Sequence, residues 1–186
     1  MIPLDEQIEF VRYVTTKLES AGIPYMLTGS IVLTLHEIPR TTRDVDIVAE
    51  IGAQDADKLI EMFEPDCYID RQAILEAVAT EGMFNIIHYE FAFQADFIIR
   101  KGTEYRQKEF ARKQRVSLHD VDIWAVSPED LILSKLDWAR MSDSTLQKRD
   151  VAGLIESLPD LDWAYLETWA DKLELMGLLN EVRNDA

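Results

Sequence analysis

Three observations on the sequence predict an α/β half followed by an all-helical half. Short β-branched and apolar runs alternate with helical patterns up to residue 126, as in a sheet flanked by helices. Only helical patterns follow that point. The segment Ser127-Pro128-Glu129-Asp130 has a serine for the cap, a proline for the first helical position and acids for the positive helix end. We predict an α/β core over residues 1–126 and a helical region over residues 127–186 that completes a cleft.

Apolar periodicity and turn residues define the elements of the first half. The predicted helices share apolar side chains at helical spacing and cover residues 4–20, 31–35, 55–64 and 71–80. Gly22 and Pro24 end the first of them. The predicted strands are rich in β-branched and aromatic residues and cover residues 25–27, 45–48, 85–93, 95–99 and 121–126. Residues 39–42 are predicted to form a loop.

Three helices are predicted in the second half, over residues 128–140, 145–157 and 163–182. In the last one, Leu166 and Trp169 belong to a stripe at helical spacing, so Trp163 and Trp169 fit a helical core better than a platform for nucleic-acid bases.

Composition limits the classes of protein to consider. The chain has 186 residues, 47% of them hydrophobic, which suffices for a proper core. Its apolar runs are all shorter than the ~20 residues that cross a bilayer, and the acids of the first helix do not suit a signal peptide. The lone Cys67 excludes an internal disulfide and a cysteine-based zinc site. We therefore expect a cytoplasmic protein without membrane contacts.

Charge is strongly negative and uneven. The net charge of −16 argues against a general role in coating nucleic acids. Residues 100–115 nevertheless hold seven basic against two acidic residues, so this basic segment is +5 and the remaining chain is −21. The segment is either a solvated face that balances an acidic body or a docking strip for a polyanion or an acidic partner.

The stretch TGSIVLTLHEIPRTTRDVDIV, residues 28–48, combines two motifs. Gly29-Ser30 lies between a strand and a helix, where glycine admits a ligand to the backbone and the helix start offers N–H groups to phosphate. Asp44 and Asp46 lie two apart in a strand, so both carboxylates point to one face. Such a pair is tolerated mainly beside a cation, and hard oxygen ligands suit Mg²⁺ bound with substrate phosphates.

A third carboxylate is expected on an adjacent strand. Asp96 is the favoured candidate because a charge in the apolar run ADFII is costly unless it is paired or metal-bound. Glu90, one strand earlier, is the competitor.

With these residues the chain resembles the DNA polymerase β-like nucleotidyltransferase superfamily, whose signature is Gly-Ser, a spacer, Asp-x-Asp and a later Asp. More narrowly it resembles small bacterial proteins related to AbiEii-type toxins. The matching segments are residues 28–48, QADFII and SPEDLILSKLDWARMSDSTLQKRDVAGLI. Thr28 departs from the signature, which often has an apolar residue before the glycine. The resemblance implies a minimal nucleotidyltransferase fold, with a short mixed sheet flanked by helices and followed by a helical region.

The resemblance also implies a reaction, the transfer of a nucleoside monophosphate (NMP) from a nucleoside triphosphate (NTP) to a hydroxyl group. Gly29 and Ser30 would hold the phosphates, and Asp44 and Asp46 would bind two Mg²⁺ or Mn²⁺ ions. Asp96 would complete the second metal site and help to deprotonate the acceptor. The implied acceptor is RNA, tRNA-like, or a protein, and a cognate antitoxin is an implied partner.

The helical region contributes two more candidates through the same resemblance. Lys135 would neutralise triphosphate charge, and Asp150, beside Arg149, would orient Lys135 or the acceptor. The alternative for Lys135 is a structural role, in which its aliphatic stem covers the core while its ammonium reaches water. The alternative for Lys135 and Asp150 together is a structural ion pair. Arg40 and Arg43 flank the Asp-x-Asp strand and either contact phosphates or are solvated. Of the two, Arg43 is assigned to the nucleotide site.

The three histidines, His36, His88 and His119, are too scattered to indicate a metal cluster. A catalytically silent nucleotide-binding or protein-interaction module on the same fold is the main alternative to an active enzyme. A glycosyltransferase metal motif is a weaker one, disfavoured by the upstream Gly-Ser turn.

Overall fold

The computed structural model describes residues 4–38, 40, 42–91 and 93–185, which contain seven strands and nine α-helices. The strands are β1 (Tyr25–Thr28), β2 (Asp44–Ala49), β3 (Cys67–Tyr68), β4 (Met83–His88), β5 (Gln94–Ile99), β6 (Gln114–Leu118) and β7 (Val121–Ala125). The helices are α1 (Leu4–Ala21), α2 (Gly29–Leu33), α3 (Ala56–Phe63), α4 (Arg71–Thr80), α5 (Glu104–Ala111), α6 (Pro128–Ser142), α7 (Thr145–Ser157), α8 (Trp163–Lys172) and α9 (Met176–Asp185). Among these described helices, none combines the length and apolarity needed to span a membrane.

The strands form one mixed sheet in the order β3-β4-β5-β2-β1-β7-β6. The pairs β2–β5 and β1–β7 are parallel, and the other neighbours are antiparallel. Helices flank this sheet, and α6 to α9 follow it in the chain. The predicted α/β fold class with a mixed sheet is confirmed.

Alternation along the strands gives the β2–β5–β4 part of the sheet one buried face and one accessible face. Val45 and Ile47 on β2 and Phe97 on β5 are fully buried, whereas Asp46 and Asp96 on the opposite face are partly accessible. Because successive strand residues point to opposite sides, burying the apolar set turns the aspartates towards solvent.

The start of α6 follows the predicted capping pattern. The Ser127 hydroxyl accepts the backbone N–H of Asp130 at 3.2 Å, and Pro128 occupies the first turn. The helix therefore begins at the predicted residue, directly after β7.

Two predicted elements are wrong in extent. The strand predicted over residues 85–93 ends at His88, because the His88 ring turns the chain by accepting the backbone N–H groups of Glu90 and Phe91. The helix predicted over residues 163–182 is two helices, α8 and α9, since Glu174 adopts a left-handed φ of 59° between them.

Three elements were not predicted: the two-residue β3, α5 within the basic segment, and β6, which begins at the end of that segment. The predicted loop at residues 39–42 falls in part outside the described residues, which omit 39 and 41.

Candidate active site

Parallel pairing of β2 with β5 brings the predicted carboxylates together. Asp46 lies opposite Asp96, and Asp44 lies opposite Gln94. On the other side of β2, Thr28 of β1 lies opposite Asp46. Paired residues on neighbouring strands share a face at a strand spacing of ~4.8 Å. Residues fifty positions apart in sequence thus meet on one accessible face of the sheet.

Glu90, the competitor for the third carboxylate, has a different position. It lies exposed in the turn after β4, where its backbone N–H donates to His88. Glu90 is therefore off the strand register that joins Asp46 to Asp96, which favours Asp96 as the third carboxylate.

Gly29 lies against Asp46 and has no space for a side chain. Its φ is +68°, and an added Cβ would lie 1.9 Å from Asp46 Oδ2. The backbone N–H of Ser30 donates to the Asp46 carboxylate. The Gly-Ser turn therefore contacts the Asp-x-Asp strand directly. The Ser30 N–H, one of the helix-start groups predicted to bind phosphate, is directed at Asp46.

The carboxylates disfavour each other's ionised forms. The pKa of Asp46 is raised to about 6, first by burial and then by the charges of Asp96 and Asp44, with Lys135 and the Ser30 amide acting in the opposite direction. The pKa of Asp96 is also raised, by burial first and by Asp44, while a hydrogen bond from Gln94 opposes the shift. The sheet face thus carries negative charge that a cation would relieve.

The donor set fits magnesium bound together with a substrate. Within the described ranges, no group of three or more His, Cys, Asp or Glu side chains is gathered closely enough to hold a metal ion by itself. Mg²⁺ is normally held by one or two carboxylates together with substrate phosphates rather than by an all-protein cage. Asp44, Asp46 and Asp96 provide such carboxylates, with the Gly29 turn beside them.

Lys135 is held in a buried polar network. Its side-chain Nζ donates to Asp150 Oδ2 at 2.8 Å and to Gln147 Oε1 at 3.0 Å. Lys135 is only 4% exposed and Asp150 only 2%, so a lysine whose ammonium reaches water is excluded. Arg40 Nη2 lies 3.5 Å from the same Asp150 oxygen. Asp150 thus joins the helical region to the loop that precedes β2.

The Lys135 ammonium has a third donor beyond those two hydrogen bonds, because an ammonium carries three. Its charge acts on Asp46 and opposes the rise of the Asp46 pKa. The network therefore holds the Lys135 ammonium within electrostatic reach of the carboxylates. Arg43 and Arg149 differ from it in being exposed.

The basic segment is largely neutralised within the chain. Arg112 Nη2 lies 3.1 Å from Glu129 and its Nε 3.1 Å from the fully buried Asp130. Arg106 likewise contacts Glu109 at 2.9 Å. Arg106 also lies 3.4 Å from Asp137, and the other two arginines of the segment are paired as well, Arg100 with Glu50 and Arg115 with Glu19. These pairs favour a segment that balances an acidic body over a docking strip for a polyanion.

Two glutamines of the site were not identified from the sequence. Gln94 donates its side-chain Nε2 hydrogen to Asp96 Oδ1, and Gln147 accepts from Lys135. Gln94 could have been found, since it lies two residues before Asp96 and so shares its face. Gln147 was detectable only through its separation of three residues from Asp150 on one helix.

Comparison with solved structures shows the fold. A nucleotidyltransferase-like antigenic protein from Paracoccidioides brasiliensis superposes with a TM-score of 0.59 at 17% identity, over 96% of this chain and 92% of its own. ANT(2'')-Ia in complex with adenylyl-2''-tobramycin gives 0.53 at 13% identity, over 96% and 98%. The lincosamide antibiotic adenylyltransferase LnuA, bound to lincomycin, gives 0.56 at 15% identity, over 84% and 99%. No protein-family model and no curated protein matches the chain. The chain therefore has the nucleotidyltransferase-like fold.

Proposed function

We propose that this protein is a nucleotidyltransferase that moves an NMP group from an NTP to a hydroxyl group in the presence of Mg²⁺ or Mn²⁺. The observation that carries the proposal is the β2–β5 register, which sets Asp46 opposite Asp96 with Gly29 against Asp46. Similarity of fold to two antibiotic adenylyltransferases supports the same reaction class.

The chain's own residues suit the steps of this reaction. Asp44, Asp46 and Asp96 would hold two divalent ions, which supply charge stabilisation for the entering and leaving oxygens when bound. Gly29 and Ser30 would approach the phosphates, with Arg43 nearby. Lys135, fixed by Asp150 and Gln147, would offer its remaining donor to the triphosphate.

Asp96 would act as the general base. It lies opposite Asp46 in the β2–β5 register, and a carboxylate placed beside the reacting hydroxyl group can accept its proton. The acceptor oxygen would bond to the α-phosphorus as the bond from that phosphorus to the pyrophosphate oxygen breaks. The hydroxyl proton would pass to Asp96, and pyrophosphate would leave.

Two classes of acceptor are to be tested. The sequence resemblance points to an acceptor that is RNA or a protein, and to a cytoplasmic AbiEii-like role beside an antitoxin protein. A small molecule is the second candidate, favoured by the intramolecular pairing of Arg100, Arg106, Arg112 and Arg115. The bound antibiotics of the two structural neighbours point the same way.

Labelled NTPs test the proposal. The purified chain would be incubated with each α-labelled NTP, Mg²⁺ and, in turn, total RNA, lysate protein, tobramycin and lincomycin. We expect label transfer with release of pyrophosphate, and its loss in Asp46→Asn. Binding of Mg·NTP without transfer to any acceptor would instead identify the silent nucleotide-binding module.

A further inference from the structure

A row of paired side chains leads from the carboxylates to the edge of the sheet. Asp44 pairs with Gln94 across β2 and β5, Gln94 with Ile87 across β5 and β4, and Ile87 with Tyr68 across β4 and β3. Directly paired residues share a face, so the four side chains lie side by side. Three strand spacings of ~4.8 Å make this row ~14 Å long.

A second row runs beside the first. Asp46 pairs with Asp96, and Asp96 with Asn85 on β4. Asn85 is therefore the next side chain beyond the proposed general base, on the same accessible face. An amide at this position can both donate and accept hydrogen bonds, as recognition of a hydroxyl group requires.

Large apolar side chains are exposed along the outer part of these rows. Tyr68 is 51% exposed, Ile87 39% and Met83 55%. Met83 belongs to a third row, in which it pairs with Ile98 and Ile98 lies beside Val48 of β2. Apolar side chains gathered on an accessible surface next to a polar site are typical of a ligand-binding surface.

The charge on this face selects the ligand. The side chains that β3, β4 and β5 present here are Tyr68, Met83, Asn85, Ile87, Gln94, Asp96 and Ile98. None of these seven is basic, and Asp96 is acidic. A polyanion would find no counter-charge on them and would be repelled by the net charge of −16 of the chain, whereas a cation would be attracted.

We propose that this acceptor platform, formed by Tyr68, Ile87 and Asn85 beside Asp96, binds the acceptor, and that the acceptor is a small hydroxyl-bearing molecule with a positive charge and an apolar surface. The inference rests on the proposed function, because it assigns the second substrate of that reaction. The hydroxyl group faces Asp96 and Asn85, the apolar surface lies on Ile87 and Tyr68, and the net charge of −16 of the chain attracts the cationic group.

Binding by calorimetry tests the platform on the intact chain with Mg²⁺ and a non-hydrolysable ATP analogue. The probes are two cationic hydroxyl compounds, tobramycin and lincomycin, and one anionic compound, a uridine trinucleotide. We expect at least one cationic probe to bind in preference to the trinucleotide. Ile87→Lys should weaken that binding about fivefold to tenfold, as one unfavourable charge near a wet surface costs. Asn85→Ala should weaken binding of the same probe.

The matched control is Met141→Lys, which adds the same charge at an exposed apolar residue of α6. Equal losses from Ile87→Lys and Met141→Lys would overturn the platform. Failure of both cationic probes at millimolar concentration, or tighter binding of the trinucleotide, would overturn the acceptor class. In each case, a stabilisation by Mg·ATP that Asp46→Asn removes would show that the nucleotide site of the proposed function stands independently.

Discussion

Replacement of Asp46 by asparagine removes a charge that the folded chain holds at a cost. The pKa of Asp46 is raised to about 6 by burial and by Asp96 and Asp44, against 3.8 for an ordinary aspartate. A folded-state pKa above the unfolded value means that ionisation favours unfolding. This cost is absent below pH ~4, grows between the two pKa values and is complete above pH ~6. At 1.36 kcal/mol per pKa unit, its upper bound is ~3 kcal/mol.

Asp46→Asn should therefore raise the free energy of unfolding of the metal-free protein at pH 7.5 by ~1–3 kcal/mol. Asparagine keeps the shape that fits beside Gly29 and an oxygen that accepts from Ser30, so packing is little changed. A chain of 186 residues gains ~2–4 °C in Tm per kcal/mol.

Thermal unfolding at pH 4, 5, 6 and 7.5 measures this effect, with Asp160→Asn as a control that removes an exposed carboxylate. The gain should fall to about 0.5 kcal/mol at pH 4, close to the unfolded-state pKa. With saturating Mg·ATP the order of stability should reverse, because only the wild type gains from the bound ligand. A stabilisation that is equal at pH 4 and pH 7.5, or a loss at pH 7.5, would refute the electrostatic reasoning.

Three further substitutions test other parts of the structure. Lys135→Ala should weaken ATP binding by ~1.5–3 kcal/mol in calorimetry, the usual worth of a hydrogen bond to a charged group, and a purely structural lysine would lower Tm alone. Gly29→Ala should abolish Mg·ATP binding and lower Tm, since its Cβ would collide with the adjacent carboxylate, while Gly177→Ala, with open space around it, should leave both intact. Arg112→Glu should cost ~3–5 kcal/mol of unfolding free energy by denaturant titration because it strands a buried acid, whereas Lys108→Glu at an exposed position should change it by less than ~0.5 kcal/mol.

Local chemistry made much of the fold predictable from sequence. The cap at Ser127, the first-turn Pro128 and the alternation around Asp44 and Asp46 each act within a few residues, so their consequences could be derived without knowing the fold. The break at Glu174 escaped prediction because the apolar stripe continues through it, and a left-handed glutamate carries no sequence signal.

Features that depend on distant segments were less predictable. The sequence predicts that Asp96 lies on a strand next to that of Asp46, but it does not predict that these two residues lie opposite each other. The register is fixed by packing of the whole sheet. The sequence also gave the charges of the basic segment but not their partners. Arg112 lies 17 residues from Glu129 and Arg115 lies 96 residues from Glu19, so a surplus of charge in one stretch did not mean an available surface.

The parallel β2–β5 pairing and the Lys135–Asp150 contact join segments that are synthesised at different times. As the chain leaves the ribosome, Asp46 emerges first, its partner on β5 follows fifty residues later, and Asp150 follows a further 54 residues after that. A nascent chain that stops before α7 presents its carboxylates without the ammonium group that Asp150 and Gln147 fix. The geometry around the carboxylates is therefore completed only after α7 has emerged, and a ligand that needs all of these groups binds only chains that extend at least that far.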